Sequence, residues 1–218
     1  SPKYAQIAPS LVERIAREEL QKRSNFAESV KAVRSRLHQL TGAYLPTKVD
    51  YAQWSALFRD SAQDKHELCQ RMLRLHASTA ERLPFLKDFY ATCLASISPV
   101  HSILDLACGL NPLALPWMPL AEDCTYLACD VLQPMIDFLN AFFESYRING
   151  QAFACDLTSC IPDHSVQVAF LLKTFPLLDQ IDKTLSRRLL EGIQAEHILV
   201  SYPAKSLGGR SKGMPANY

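Results

Sequence analysis

The chain has no Gly-x-Gly-x-x-Gly sequence, so it lacks the glycine turn that carries the pyrophosphate in dinucleotide-dependent dehydrogenases. Its seven cysteines, at positions 69, 93, 108, 124, 129, 155 and 160, include no Cys-x-x-Cys pair. An odd number without paired spacing fits reduced thiols and a cytoplasmic setting better than a disulfide framework. Cys108, Cys129 and Cys155 fall in apolar runs, where free cysteine acts as a small buried hydrophobe. His66, Cys69 and His76 lack the second ligand pair a zinc site requires, so no metal is expected. No apolar run approaches the ~20 residues that cross a bilayer, and neither a signal peptide nor an internal repeat is visible. A membrane partner is therefore not expected.

Net charge is also nearly absent, with 23 Lys/Arg against 22 Asp/Glu. The balance is uneven along the chain, however. Residues 1–77 hold 13 basic and 8 acidic side chains, whereas residues 78–218 hold 10 and 14. A basic first part suits a polyanion such as nucleic acid, although a plain solvated surface has the same composition. At 218 residues the chain is long for one domain and short for two, which implies a core-bearing domain with a smaller appendage.

The appendage reads as helices. Ser10 and Glu13 are spaced as a capping box ahead of a helix to about Lys22, with Val12, Ile15, Ala16 and Leu20 on its apolar side. Ser24 is placed to start a second helix, in which Phe26, Val30, Val33, Leu37 and Leu40 recur at helical spacing. Lys22, Lys31, Arg34 and Arg36 are its neighbourhood's candidates for phosphate contact, with His38 also off the apolar seam, and Thr41 and Gly42 end the helix. After a connection at Pro46, Asp50 is placed to cap a helix carrying Tyr51, Trp54 and Phe58, and residues 61–75 form another with Leu68, Met72 and Leu75 inward. Residues 1–77 thus read as a helical bundle that either binds RNA or only packs on the rest. Ser78 and Glu81 again have capping-box spacing, Pro84 should break the helix that follows, and Leu86, Tyr90, Cys93 and Leu94 should be buried before Pro99.

From residue 102 strand and helix alternate. Strands are expected at 102–107, 125–129, 151–155, 166–172 and 197–202, and helices at about 134–146 and 180–192, with a proline-rich loop at Pro112, Pro116 and Pro119. Alternation implies an α/β fold with a mainly parallel, Rossmann-like sheet and helices on both faces. Three successive strands deliver Asp105, Asp130 and Asp156. Ligands of such sheets bind beyond the carboxyl ends of the strands, where Gly109 lets backbone approach closely. An acidic residue about twenty positions on is suited to ribose hydroxyls, and Asp130 stands there. This layout resembles the class I S-adenosylmethionine (SAM) methyltransferases.

Four segments make the resemblance specific: His76-x-Ser78-Thr79-x-Glu81-Arg82, Asp105-Leu-Ala-Cys-Gly109-Leu-Asn111-Pro112-Leu-Ala-Leu115, Phe170-Leu-Leu-Lys173, and Ser201-Tyr-Pro203-x-Lys205-Ser206 continuing to Lys212-Gly-Met214. In this order they resemble the motifs of the aminoglycoside-resistance 16S rRNA methyltransferases that modify N7 of guanine 1405. The likeness runs from about residue 70 to the end, and that family also carries an N-terminal helical extension that binds rRNA. It implies residues 1–77 as an RNA-binding domain and 78–218 as a SAM-binding methyltransferase domain. A cytoplasmic monomer acting on 16S rRNA in the 30S subunit is expected.

For the cofactor, the resemblance implies Arg82 on the methionine carboxylate of SAM, which suits its planar fork; the alternative is a structural ion pair with Glu81 or Asp88. Asp105 and Gly109 would face the methionine part, Asp130 the ribose, and Asp156 with Leu157 the adenine, with Ser78, Thr79, Ala107, Asn111 and Val131 completing the site. Helix capping is the alternative role for each aspartate. Lys173 ends a very apolar strand, so it has to be paired or lowered in pKa; its expected place is near SAM or the target guanine. Lys205, Arg210 and Lys212 form either a phosphate clamp or a frayed terminus. With Lys173 they are expected to position the RNA, and no residue is expected as a general base.

Other methyl-transfer chemistries lack their signatures. Cytosine C5 methylation needs a positioned thiolate, yet Cys108 sits inside the SAM loop; the Asn/Asp-Pro-Pro-Tyr/Phe of exocyclic amine methylation is replaced by Lys173-Thr-Phe-Pro176. Ala107 stands where generic SAM loops carry glycine. The fifth strand is the last expected one, so the final helix and C-terminal antiparallel hairpin of a class I sheet are expected to be missing. Three other functions stay open: a SAM enzyme for a small molecule, one for another rRNA position, and a non-enzymatic RNA-binding protein on a degenerate methyltransferase fold.

Overall fold

The computed structural model describes residues 4–41, 49–60 and 62–202. Gly42, Pro46 and Ser61, expected above at helix boundaries, lie outside the described residues, as do Lys205, Arg210 and Lys212. Five parallel strands form one sheet: β1 (Val100–Leu106), β2 (Leu120–Asp130), β3 (Gly150–Ala154), β4 (Val166–Leu172) and β5 (Ala195–Ser201), in the order β3-β2-β1-β4-β5. The order reverses between β1 and β4, and that reversal opens a crevice at their carboxyl ends. Asp105 stands opposite Ala128 of β2 and Phe170 of β4, so the central strand carries the first aspartate to the crevice. β1 begins two residues earlier than expected and stops at Leu106, because Ala107 turns to φ 53°. The expected lack of a C-terminal hairpin concerns residues outside those described.

Nine α-helices accompany the sheet among the described residues. Helix α1 (Pro9–Lys22) starts with Ala8 as its cap and has no side-chain cap. The Ser10–Glu13 capping box is therefore not formed; the Ala8 N–H donates instead to Val131 O at 2.9 Å, a tertiary bond. Ile15 is buried as expected, but Leu11 and Glu19 join it and Leu20 is exposed. Helix α2 (Phe26–Thr41) is capped by Asn25, whose Oδ1 accepts from Ala27 N–H at 2.9 Å, one residue after the expected Ser24. Phe26 stays exposed.

Asp50 caps α3 (Tyr51–Arg59) as expected, through Gln53 N–H at 3.0 Å, and Asp64 caps α4 (Lys65–Leu73). After α5 (Ala77–Ala80), Pro84 opens a one-turn 3-10 helix ahead of α6 (Leu86–Leu94), which is the break expected there. Ser78 does not cap a helix, since it lies inside α5, and Glu81 is drawn away to Lys173. Helix α7 (Gln133–Tyr146) follows β2. The helix expected at 180–192 is two, α8 (Phe175–Ile181) and α9 (Leu185–Gly192), separated where the Asp182 carboxylate accepts from Thr184 N–H at 2.8 Å.

One apolar cluster runs from the first helices into the sheet. Ile15, Phe58, Leu68 and Met72 belong to the same core as Tyr126, Phe138 and Phe142. Phe58 of α3 meets Phe138 and Phe142 of α7, each with ring centroids 5.6 Å apart. The opposite face of the sheet is covered by α8 and α9 through Phe175, Leu178, Leu185 and Leu189. The helices before residue 77 thus bury their apolar faces against the sheet layer rather than against one another alone.

Candidate cofactor site at the carboxyl ends of the strands

The loop after β1 is built around a buried polar chain. Asp105 and Asn111 are 1% and 2% exposed. Asp105 Oδ2 accepts from Tyr126 Oη at 2.7 Å and from Asn111 Nδ2 at 2.9 Å. Asn111 Oδ1 in turn accepts from Tyr90 Oη at 2.5 Å and Arg82 Nη2 at 2.8 Å. Burial pushes the Asp105 carboxyl up to about 6, against the opposing hydrogen bonds from Asn111 and Tyr126 and the charge of Arg82. Such chains are costly unless satisfied, and here two donors stand out. Arg82 Nε and Nη1 are buried without a partner among the described residues, while the guanidinium lies 5.6 Å from the Phe89 ring centre. An orphaned buried donor costs about 1–3 kcal/mol, and a guanidinium with free N–H groups is shaped for a carboxylate.

Gly109 turns the same loop with φ +53°, and a Cβ there would lie 3.4 Å from His76 Cε1. Its N–H donates to Asp130 Oδ2 at 2.9 Å, and Val131 N–H donates to Asp130 Oδ1 at 2.6 Å. Burial raises the Asp130 carboxyl, opposed by hydrogen bonds from the Gly109, Val131 and Leu132 N–H groups. A carboxylate has about four acceptor sites, so Asp130 keeps capacity for hydroxyl donors.

The structure gathers Ser78, Arg82, Asp105, Ala107, Gly109 and Asn111 with Asp130, Val131, Asp156, Leu157 and Lys173 around one pocket. Thr79 does not line it: its hydroxyl faces the backbone, donating to Leu73 O at 2.6 Å and His76 O at 3.0 Å. Asp156 is held by Thr158, whose N–H donates at 2.9 Å, and by an ion pair with Arg14. Lys173 adopts φ 63°, donates to Ser78 O at 3.0 Å and pairs with Glu81. Burial lowers its pKa, with Glu81 opposing. The alternative ion pair of Arg82 with Glu81 or Asp88 is not formed; Glu81 serves Lys173.

His76, which opens the first of the four segments of the resemblance but was given no role there, also lines the pocket. Its Nδ1 lies 2.6 Å from Ser78 Oγ, and burial with the nearby charges of Arg82 and Lys173 pushes its pKa down to about 4. The lining also includes Cys108, Leu132, Cys155 and Leu172, together with Thr158, Leu178, Thr174 and Leu177, of which Thr174, Leu177 and Leu178 belong to the start of α8. Pro176 in the first turn of α8 was the available signal for Thr174, Leu177 and Leu178, because proline favours a helix start. His66, Cys69 and His76 go separate ways: His66 packs on Trp117 at 4.1 Å, and Cys69 Sγ lies 3.4 Å from Tyr146 Oη. No group of three metal-ligating side chains gathers among the described residues, and no described helix is long and apolar enough to cross a membrane.

SAM fits this donor set. The orphaned Arg82 donors match a carboxylate, the Gly109 turn admits a ligand without a Cβ in the way, and Asp130 retains free acceptor sites.

The profile of the ribosomal RNA methyltransferase (FmrO) family matches residues 1–218. A 16S rRNA (guanine(1405)-N(7))-methyltransferase of Micromonospora rosea is 34% identical over 227 residues, covering 100% of this chain and 82% of that protein. A protein of the same name from Frankia casuarinae is 35% identical over 228 residues, with 100% and 80% covered. The solved structure of 16S rRNA methyltransferase RmtF in complex with S-adenosyl-L-homocysteine matches with a TM-score of 0.78 at 30% identity, covering 99% of this chain and 81% of that one.

Proposed function

This chain belongs to the ribosomal RNA methyltransferase (FmrO) family, and on that premise we propose that it transfers a methyl group from SAM to N7 of guanine 1405 in 16S rRNA, giving resistance to aminoglycosides. It acts as a monomer on the 30S subunit in the cytoplasm, with residues 1–77 as its RNA-binding part and the remainder as its methyltransferase part. The observation that carries the reading is Arg82: a buried guanidinium with two unpartnered donors, fixed by Asn111 beside Asp105 and the Gly109 turn.

Bound SAM supplies an electrophilic methyl group on a sulfonium. Arg82 takes its carboxylate, with Asp105 and Gly109 along the methionine part and Ser78, Ala107 and Asn111 completing that end. Asp130 and Val131 hold the ribose, and Asp156 and Leu157 the adenine. Guanine N7 carries an in-plane lone pair and no proton, so the nucleophile needs no general base. Two properties of the site agree with that. His76 has its pKa pushed down to about 4, which makes it a poor proton acceptor, and the Oδ2 atom of Asp105 is taken by Asn111 and Tyr126. Catalysis then rests on orientation and on tolerating the positive charge that develops on the purine. N7 faces the deep, narrow major groove of A-form RNA, so the nucleotide has to be splayed out or flipped. Lys173, Lys205, Arg210 and Lys212 are the residues assigned to hold that distorted RNA.

The experiment is to incubate the protein with 30S subunits and labelled SAM and to map the modified nucleotide. Label at N7 of guanine 1405 is expected; methylation at another atom overturns the assignment.

A further inference from the structure

Helix α1 meets the cofactor pocket at two places. Just ahead of the helix, Ala8 N–H donates to Val131 O, Gln133 N–H donates to Gln6 O, both at 2.9 Å, and Ile7 bridges to Leu132. Further along the helix, Arg14 pairs through Nη2 with Oδ2 of Asp156, while its Nη1 donates to Glu18 Oε1 at 2.6 Å. Glu18 is itself paired with Arg36 of α2, so the guanidinium is anchored from behind. The Asp156 side chain is only 4% exposed.

The remaining contacts of that carboxylate are few and specific. Oδ1 accepts from Thr158 N–H at 2.9 Å, the Thr158 hydroxyl lies 2.8 Å from each oxygen, and Ser159 Oγ is closer to Asp156 O, at 3.0 Å, than to Oδ2, at 3.3 Å. With about four acceptor sites on a carboxylate, the Thr158 N–H and hydroxyl, with Arg14 as an ion-pair partner, leave room for a further donor, and Asp156 lines the cofactor pocket. Removing the cation from a buried pair leaves an uncompensated charge, and the carboxylate loses both its partner and its fixed orientation.

We infer that Arg14 is a positioning residue for the cofactor: by holding Oδ2 of Asp156 it aims the remaining acceptor site at the 6-amino group of adenine, which makes helix α1 part of the selectivity for an aminopurine. This rests on the reading of Asp156 as the adenine-facing group.

The test is calorimetric titration of the full chain with two ligands, S-adenosyl-L-homocysteine and its analogue with hydrogen in place of the 6-amino group. The wild-type protein is expected to prefer the amino compound by roughly tenfold, the size of one hydrogen bond to a charged group. Arg14→Gln should lose most of that preference while binding the deamino analogue as before, and Arg14→Lys should recover part of it. An unchanged preference in Arg14→Gln, or equal weakening of both ligands, overturns the role. Asp156→Ala separates the two readings. If the preference survives in Asp156→Ala, the adenine assignment itself is wrong; if it is lost there but kept in Arg14→Gln, only the role of Arg14 falls. Should Arg14→Gln fail to fold, Arg14→Lys carries the same comparison, with an intermediate preference expected and an undiminished one overturning.

Discussion

Arg82 Nη2 and Asn111 Oδ1 are 2.8 Å apart, with both side chains buried. Asn111 also donates to Asp105 and accepts from Tyr90, so this one amide ties α6, the loop after β1 and the guanidinium into a single unit. The unit presents Arg82 Nε and Nη1 already oriented, which spares a ligand the cost of ordering a flexible arginine.

Replacing Arg82 by lysine should therefore not be conservative, because a point charge cannot reproduce a planar fork. SAM affinity is expected to fall by about 1.5–3 kcal/mol, the worth of hydrogen bonds to a charged group, with the fold retained. Calorimetry finding the wild-type affinity in Arg82→Lys would remove Arg82 from the carboxylate site.

Asp105 links stability to pH. Its folded value of about 6 lies above the ordinary 3.8, so between those values the folded protein holds a proton that the unfolded chain has released, and stability falls as pH rises. The contribution is fully present below about pH 4 and lost by the time pH passes about 6. Denaturant unfolding of wild type and Asp105→Asn at pH 4.5 and pH 7 checks this. The wild type should lose stability relative to the variant over that interval, and parallel profiles would rule the linkage out.

Gly109→Ala places a side chain at φ +53° with its methyl 3.4 Å from the His76 ring. The left-handed conformation alone costs about 1–2 kcal/mol. Urea unfolding should register that loss, and SAM affinity should drop as the turn shifts the N–H bonded to Asp130. Wild-type values for both would mean that the turn relaxes freely.

Lys31 and Arg34 are exposed on α2, whereas Arg36, grouped with them from the sequence, is paired with Glu18 and Glu19. If the exposed pair neutralises phosphates, affinity for 30S subunits should fall steeply with salt, and removing either charge should lower the log–log slope by about one. Arg36→Ala should instead weaken the α1–α2 contact. A slope unchanged in Lys31→Ala and Arg34→Ala would leave these residues as solvated surface.

Phe58→Ala empties a site enclosed by Phe138 and Phe142 and should cost about 3–5 kcal/mol. Because the first helices share a core with the sheet, unfolding should remain one cooperative transition. Two separated transitions, with only the first displaced, would show that the helical part folds independently.

Much of the fold was readable from local pattern. Asp50 capped its helix, Pro84 broke one, and the apolar runs before Asp105, Asp130 and Asp156 became β1, β2 and β3, because strand period, capping chemistry and proline geometry act over a few residues. Both proposed capping boxes failed for a shared reason. The Ala8 backbone is bonded to Val131, and Glu81 is taken by Lys173, so partners distant in sequence outcompeted the local bond.

Alternating strand and helix patterns were enough to expect a parallel sheet with a glycine turn and three aspartates at the carboxyl ends of its strands, since side-chain alternation and element order are written in the order of residues. How the charges pair is set by the packing of the folded chain. That Arg82 is left with free donors, that Lys173 is bound to Glu81, and that Arg14 reaches Asp156 depends on which helices pack beside which strand ends. Burial and low local dielectric then make those few pairings strong, and no spacing along the chain encodes them.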